Sequence, residues 1–259
     1  MTWPIATGAA GTGPLGTGPL TTGPLTTGPL TTGPLVDPTS LPGWLDPLVR
    51  RTADIGPGDL GRIPVPRVGG RPAAVLVLLA EDSRTGEPDV LLQVRSQDLS
   101  SHPGQVCFPG GAAEDGDAGP VATALREAVE EVGVRADDVR PIAVLPQQYV
   151  APSGFVVTPV LGYWERPGAV APVDYRETVA VTRVLLRVLA DPPNRLIVRG
   201  PNGYPYPAFV IPGMLVWGFT GGLLAALLTM GGWVRPWEPA AEYDLDVARR
   251  LAERTEVIR

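Results

Sequence analysis

Short apolar runs alternate with amphipathic stretches from residue 73 onward, and this alternation restricts the fold more than any other feature. Ala73–Leu79 and Asp89–Val94 have the length and composition of buried strands, with the turn-like segment EDSRTGEP between them. Val121–Val132 carries an apolar stripe at helical spacing. Further strands are predicted at Val139–Leu145, Phe155–Leu161, Thr178–Val184 and Arg195–Val198, and further helices at Leu215–Met230 and Ala241–Arg254. Mixed elements of these lengths predict an α/β layered domain.

Residues 1–40 form a low-complexity segment in which Gly-Pro-Leu recurs every five residues. Frequent Pro and Gly oppose helices and strand ladders, and isolated leucines bury too little surface to offset chain entropy. We therefore predict a disordered tail, with a segment that recruits or tethers a partner as the alternative. The main domain is predicted at residues 45–235 and a C-terminal helical extension at residues 236–259.

Charge and cysteine content exclude several classes of protein. A net charge of −6 without clustered basic residues argues against a nucleic-acid surface. All 21 basic residues are arginine, so phosphate must be bound by arginine, backbone N–H groups, helix ends or metal. Cys107 is the only cysteine, which excludes an internal disulfide, and the N-terminus does not resemble a secretory signal. A cytoplasmic protein is expected.

Phe209–Val234 contains no charged residue and is long enough to cross a membrane. Pro212-Gly213 interrupts it early, and further glycines follow at 218, 221 and 222. No cluster of basic residues precedes it to set an orientation. A buried strand followed by a core helix is therefore the favoured interpretation, and no membrane association is predicted.

Three glutamates of the predicted helix carry the main chemical signal. Glu127, Glu130 and Glu131 are spaced i, i+3 and i+4, so their carboxylates lie on one face and repel each other unless a cation is bound. Carboxylates suit Mg²⁺ or Mn²⁺, which also bind substrate phosphates. Arg126 is spaced to orient Glu130 through an i, i+4 ion pair. Upstream, Gly110-Gly111 lets the backbone pass close beneath a phosphate group.

This region resembles the Nudix box, G-x5-E-x7-R-E-U-x-E-E-x-G-U with U aliphatic. The matching residues are Gly111, Arg126, Glu127, Glu130, Glu131, Gly133 and Val134. Asp117 stands at the first acidic position, the spacing to Arg126 is one residue longer than usual, and Ala128 is small for its aliphatic position. The resemblance implies a Nudix-type α/β/α sandwich with a mixed β-sheet.

The preceding run, RSQDLSSHPGQVCFPGG, is similar to the coenzyme A pyrophosphatase branch, which shows an R-S…H-x-G-Q-V-x-F-P-G-G pattern. Ala112 departs from that branch, in which a basic residue commonly follows the two glycines. The resemblance implies Mg²⁺- or Mn²⁺-dependent cleavage of a small nucleotide-linked substrate. For coenzyme A the products are 4′-phosphopantetheine and adenosine 3′,5′-bisphosphate.

The resemblance also assigns roles to residues. Glu127 and Glu131 are the first choices as metal ligands, and Glu130 is either a third ligand or the acceptor of the attacking water's proton. Arg126 orients Glu130, and Glu177 is a further candidate base or ligand. Substrate-binding residues are expected to be Arg95, Gln105, Gly110 and Gly111.

Several alternatives stay open at the level of sequence. Arg95 pairs either with substrate phosphate or with a buried acid, and His102 is structural rather than catalytic in the favoured interpretation. Cys107 is assigned to the core. Two other functions are hydrolysis of ADP-ribose or another nucleoside diphosphate derivative, and non-catalytic binding by a Nudix fold. The resemblance also allows a homodimer.

Overall fold

The computed structural model describes residues 31–60, 63–66, 68–99, 102–238 and 242–255. The strands are β1 Gly33–Pro34, β2 Arg71–Glu81, β3 Pro88–Arg95, β4 Val106–Cys107, β5 Gly110–Ala112, β6 Val139–Val144, β7 Gln148–Val150, β8 Phe155–Trp164, β9 Thr178–Leu185, β10 Arg195–Arg199, β11 Pro205–Ile211, β12 Met214–Val216 and β13 Glu242–Asp244. The helices are α1 Asp46–Arg51, α2 Pro57–Leu60, α3 Pro120–Val132, α4 Leu186–Ala190, α5 Gly218–Met230 and α6 Leu245–Arg254.

The main sheet is mixed and runs in the order β1-β6-β8-β2-β3-β4, with β5, β7 and β9 pairing beside this path. Strand β2 pairs in parallel with β8 and antiparallel with β3 and β5. Successive residues of β2 point to opposite faces, so Leu76 and Leu78 pack with α3, whereas Val77 and Leu79 pack with α1 and α5. Helices on both faces confirm the predicted α/β/α sandwich with a mixed sheet.

A second sheet, β12-β11-β10-β13, changes two predicted boundaries. The helix expected at Leu215–Met230 begins only at Gly218, because Met214–Val216 pairs with β11. The helix expected at Ala241–Arg254 begins at Leu245, because Glu242–Asp244 pairs in parallel with β10; Ala241 lies outside the described residues. Strands of three residues are too short to show an alternation of apolar and polar side chains in the sequence, so they were not predicted.

The uncharged stretch Phe209–Val234 folds into the core. It comprises the end of β11, the short strand β12 and helix α5, whose leucines pack in the largest apolar cluster. A helix that is apolar all round is buried on several sides, and here β11, α1 and the main sheet surround it. Among the described residues, no helix has the length and apolar character needed to span a bilayer.

The folded part begins earlier than residue 45, which corrects the boundary predicted for the tail. β1 pairs antiparallel with β6, and the Leu35 N–H donates to the Ile142 carbonyl at 2.9 Å. Leu41 is buried in the same cluster as α1. The amino-acid composition does not predict this strand, because β1 is held by backbone hydrogen bonds to β6 and has no pattern of apolar side chains. Residues 1–30 of the tail predicted at residues 1–40 lie outside the described residues.

The N-terminal boundary can be tested with two truncations. Removal of residues 1–30 is expected to leave turnover and thermal stability largely unchanged. Removal of residues 1–41 also deletes β1 and the buried Leu41 side chain, so the free energy of unfolding should fall by about 2 kcal/mol. Denaturant titration and turnover measured on both chains check this, and a large loss on removing residues 1–30 would contradict a passive tail.

Candidate active site

Glu131 is the most enclosed of the three helical glutamates, with 7% of its surface exposed in the last turn of α3. Its Oε2 atom accepts hydrogen bonds from the Gly110 backbone N–H at 2.8 Å and from Gln93 Nε2 at 2.6 Å. Its Oε1 atom lies 3.9 Å from Arg95 Nη1 and accepts no hydrogen bond within the described part of the chain. The carboxylate is therefore fixed through one of its two oxygens.

Gln93 holds this arrangement and was not predicted from the sequence. Its side chain is fully buried in β3, and its Oε1 accepts a 2.9 Å hydrogen bond from the Thr178 hydroxyl on β9. The hydroxyl fixes the orientation of the amide, so that its NH₂ group points at Glu131. The available signal was a glutamine inside the apolar run DVLLQV, because buried polar groups require partners.

Burial raises the pKa of Glu131 to about 7, against the opposing effect of the hydrogen bonds from Gly110 and Gln93. The charged form is thus destabilised in the folded chain when no cation is bound. Burial also raises the pKa of Glu127, against the opposing effect of the Arg126 charge. The site places two costly negative charges one turn apart.

A pH-dependent stability follows for the chain without divalent metal. Because folding raises the pKa of Glu131, its carboxyl contributes stability below its ordinary pKa, and that contribution is lost as pH rises towards 7. Glu131→Gln should therefore be more stable than the native chain above pH 7, by on the order of 2 kcal/mol. Denaturant titrations in EDTA at pH 5 and pH 8 measure this; an equal difference at both pH values would contradict it.

Arg126 pairs with the neighbouring acids. Its Nε and Nη2 atoms donate to the two oxygens of Asp117 at 3.1 and 3.0 Å. Its Nη1 donates to Glu127 Oε1 and Glu130 Oε2, both at 3.0 Å, so the expected pair with Glu130 is present alongside others. The Ala112 carbonyl accepts a further bond from Nη2 at 2.9 Å. Arg126 thus ties α3 to the loop that precedes it.

The two glycines lie against the helix and the central strand. A Cβ atom at Gly110 would stand 2.4 Å from the Ala74 carbonyl oxygen, and one at Gly111 would stand 2.4 Å from Glu127 Oε1. They were predicted to make room for a phosphate group. In the structure their closest neighbours are β2 and a carboxylate, so their first effect is to let β5 approach the acidic residues of α3.

Comparisons with known proteins agree with this geometry. The NUDIX domain model matches residues 70–183. A relative from Cronobacter sakazakii, named uncharacterized Nudix hydrolase NudL, is 50% identical over 92 residues, which are 36% of this chain and 46% of the relative. A relative of the same name from Klebsiella aerogenes is 46% identical over 97 residues, covering 38% of this chain and 78% of the relative. The chain belongs to the Nudix hydrolase family.

Other matches cover only about half of the related protein or have lower sequence identity. The matched segment spans about half the length of the first relatives, as with the Citrobacter koseri protein at 46% identity and 51% of its length. Among solved structures, the M. smegmatis Nudix hydrolase RenU is 21% identical with a TM-score of 0.46, covering 66% of this chain and 91% of RenU.

Asp117 is involved in two of the three departures of the chain from the usual Nudix box, the third being Ala128. It has the shorter acidic side chain and is followed by one extra residue before Arg126, and the pair nevertheless meets in two-point contact. Asp117 also accepts hydrogen bonds from Thr123 Oγ1 and the Glu114 backbone N–H, both at 2.9 Å. The hydrogen bond from Arg126 is the main cause that lowers the pKa of Asp117 to about 2.

Asp117→Asn is expected to lower the free energy of unfolding by about 1–3 kcal/mol at pH 7, because charge-assisted bonds to Arg126 are weakened. Since folding depresses the pKa of Asp117, the stabilisation is present above its ordinary pKa and disappears as pH falls to about 2. Asp115→Asn, in the same loop but exposed, is the matched control. Equal denaturation midpoints for the two variants would contradict the assignment.

The carboxylates of α3 fit a hard divalent cation by their chemistry. Glu127 and Glu131 lie one turn apart, and the space beside Gly111 is occupied by the Glu127 carboxylate. Nevertheless, no three Asp, Glu, His or Cys side chains are grouped so that they could hold a metal ion in the part of the chain that the structure describes. In this arrangement Arg126 pairs with Glu127 and Glu130, while Glu131 turns towards Gly110.

Of the other residues predicted to take part in the site, Arg95 lies beside Glu131, whereas Gln105 and Glu177 lie next to β4 and β9. Arg95 faces Glu131 and its Nε atom is buried without a hydrogen-bond partner in the described residues. Gln105 precedes β4, where its carbonyl accepts from the Arg95 N–H at 3.0 Å. Glu177 is exposed beside the start of β9, and its carbonyl accepts from the Ser96 N–H at 2.7 Å.

Two side chains assigned to structural roles also lie in this region. Cys107 lies in β4 next to the Gln93–Glu131 contact, and burial raises the pKa of its thiol to about 12. The residue is half-buried and is not among the buried core residues, so it lies at the edge of the core to which it was assigned. His102 lies in the turn before β4 with a positive φ of 55°, and its carbonyl accepts from the Gln105 N–H at 3.3 Å.

Proposed function

We propose that this Nudix protein hydrolyses the diphosphate bond of a nucleoside diphosphate-linked substrate with Mg²⁺ or Mn²⁺ as its metal. The observation that carries the proposal is the pair of enclosed carboxylates, Glu127 and Glu131, facing β5 across Gly110 and Gly111. Burial raises the pKa of both carboxyl groups even though Arg126 pairs with Glu127, so a further cation would stabilise the charged pair, and hard cations that also bind phosphates are suited to carboxylate ligands. A non-catalytic binding protein would have no need of these charges.

The chain's own side chains have three proposed tasks: to hold the metal, to accept a proton and to bind the substrate phosphate. Glu127 and Glu131 are the proposed metal ligands, and the ion supplies charge neutralisation and water activation. Glu130, with 56% of its side chain exposed, serves either as a third ligand or as the acceptor of the water's proton. The Arg95 guanidinium, whose Nε has no partner in the described residues, is the proposed contact for a phosphate oxygen.

Coenzyme A or an acyl derivative is the proposed substrate, with 4′-phosphopantetheine and adenosine 3′,5′-bisphosphate as products. Its support is the pattern formed by Arg95, Ser96, His102, Gly104, Gln105 and the following residues to Gly111. One observation favours the alternative, ADP-ribose or another nucleoside diphosphate derivative. Ala112 supplies no positive charge where the branch commonly has a basic residue, and the side chain of the nearby Glu114 is acidic and exposed.

A substrate panel tests this proposal. Purified protein with Mg²⁺ is incubated with coenzyme A, acetyl-CoA, ADP-ribose, NADH and nucleoside triphosphates, and the products are resolved by mass. The highest kcat/KM is expected for coenzyme A or acetyl-CoA. A preference for ADP-ribose would overturn the choice of substrate, and cleavage of none of these compounds would overturn the proposed chemistry.

A further inference from the structure

A cavity of about 480 Å³ lies between the main sheet and the C-terminal part of the chain. This volume is within the range of small-molecule sites, roughly 300–1,000 Å³. One wall comes from β3, β4, Gln97 and residues 103–105. The other comes from β12 and α6, which lie beyond the NUDIX match at residues 70–183. The Gly213 N–H donates to the Ala252 carbonyl at 3.1 Å and thereby joins β12 to α6.

The cavity and Glu131 lie on opposite faces of the same two strands. Gln93 points to Glu131, whereas the next residue of β3, Val94, lines the cavity. Gln105, which also lines it, stands at the end of the β3–β4 ladder, where its carbonyl accepts from the Arg95 N–H. Arg95 is therefore the backbone partner of one lining residue, Gln105, and the chain neighbour of another, Val94.

The lining of the cavity is amide-rich and apolar, without net charge. Gln97 and Gln105 offer side-chain amides that both donate and accept hydrogen bonds. Met214 and Trp217 add apolar surface. The charged lining side chains are one arginine and one glutamate, Arg249 and Glu253, so the cavity lacks the excess of positive charge that a phosphate requires.

We infer that this cavity binds the uncharged, amide-linked arm of the substrate, while the diphosphate stays with Arg95 and the acids of α3. For coenzyme A this arm is pantetheine, a flexible chain with two amide groups and apolar links. The inference rests on the proposed function and makes β12 and α6 determinants of substrate specificity. The exposed Gln97 side chain lies over Gly104, where a Cβ would stand 2.2 Å from its Nε2, which places its amide at the cavity wall.

The test is NMR of the full chain labelled with methyl-¹³C methionine, titrated with pantetheine, which carries no phosphate. The chain has three methionines: Met214 lines the cavity, Met230 is buried in α5, and Met1 is the N-terminal residue. Pantetheine is expected to shift the Met214 methyl resonance to saturation and leave Met230 unchanged. The exposed variant Gln97→Ala should weaken this binding about fivefold, the equivalent of one hydrogen bond.

Arg250→Ala is the matched control, because Arg250 is exposed on α6 and does not line the cavity. It should bind pantetheine as the native chain does. Unchanged Met214 resonances, or equal pantetheine affinity in Gln97→Ala and Arg250→Ala, would overturn the inference. Failure of the proposed function is seen separately, since a chain that cleaves no diphosphate can still show the Met214 shift.

Discussion

Glu131→Gln should reduce metal-dependent hydrolysis by about a thousandfold, since a metal contact contributes several kcal/mol to the transition state. The substitution keeps the size of the side chain and an acceptor oxygen for the Gly110 N–H, so the fold should survive. The loss should appear mainly in kcat. We also expect Mg²⁺ to raise the unfolding temperature of the native chain and not that of the variant, because a ligand that binds the folded state stabilises it.

Two further glutamate variants show whether the effect is specific to Glu131 and which role Glu130 has. Glu165→Gln, on the exposed surface near Arg140, should leave turnover and the Mg²⁺ effect unchanged. Glu130→Gln distinguishes the two roles left open for Glu130: lower kcat at unchanged Mg²⁺ affinity indicates the proton acceptor, and weaker Mg²⁺ binding indicates a third ligand. Turnover by Glu131→Gln at the native rate would contradict the assignment of Glu131.

Gly110→Ala should have the largest effect on stability. Its Cβ would stand 2.4 Å from the Ala74 carbonyl oxygen and 2.6 Å from Val75 Cα, both backbone atoms of β2 that cannot turn away. The clash must separate β5 from β2, with an expected cost of about 3 kcal/mol. The same movement carries the Gly110 N–H away from Glu131 Oε2 and removes one of the two bonds that fix this carboxylate.

Gly116→Ala is the control for that experiment, because a Cβ at Gly116 meets no atom within 4 Å. Urea denaturation should give a lower midpoint for Gly110→Ala alone, and kcat of its folded fraction should fall as well. Equal midpoints for the two variants would mean that β5 does not approach β2 as closely as the structure has it.

The sequence allowed prediction of the elements whose side chains carry a pattern. The apolar stripe of Val121–Val132 and the runs around Leu76 and Leu91 correspond to α3, β2 and β3. Elements held by backbone pairing were missed, notably β1 at Gly33–Pro34 and β13 at Glu242–Asp244. Two- and three-residue strands have no periodicity, and their partners lie far away in the chain.

In the candidate site, too, only the part that follows a side-chain pattern could be predicted from the sequence. The spacing of Glu127, Glu130 and Glu131 places them on one helix side, but it does not distinguish a buried carboxylate from an exposed one. That difference depends on packing against Gly110 and on Gln93, which comes from a distant strand. The several bonds of Arg126 likewise depend on the path of the loop through Asp117 and Ala112.

The most direct test of the central claim is hydrolysis of coenzyme A with products quantified by mass, with Mg²⁺ and with EDTA, for the native chain and for Glu131→Gln. We expect equal amounts of adenosine 3′,5′-bisphosphate and 4′-phosphopantetheine from the native chain with Mg²⁺, and no more than traces of either product in the other samples. Equal product formation in EDTA or by Glu131→Gln would contradict a metal-dependent diphosphate hydrolase centred on α3.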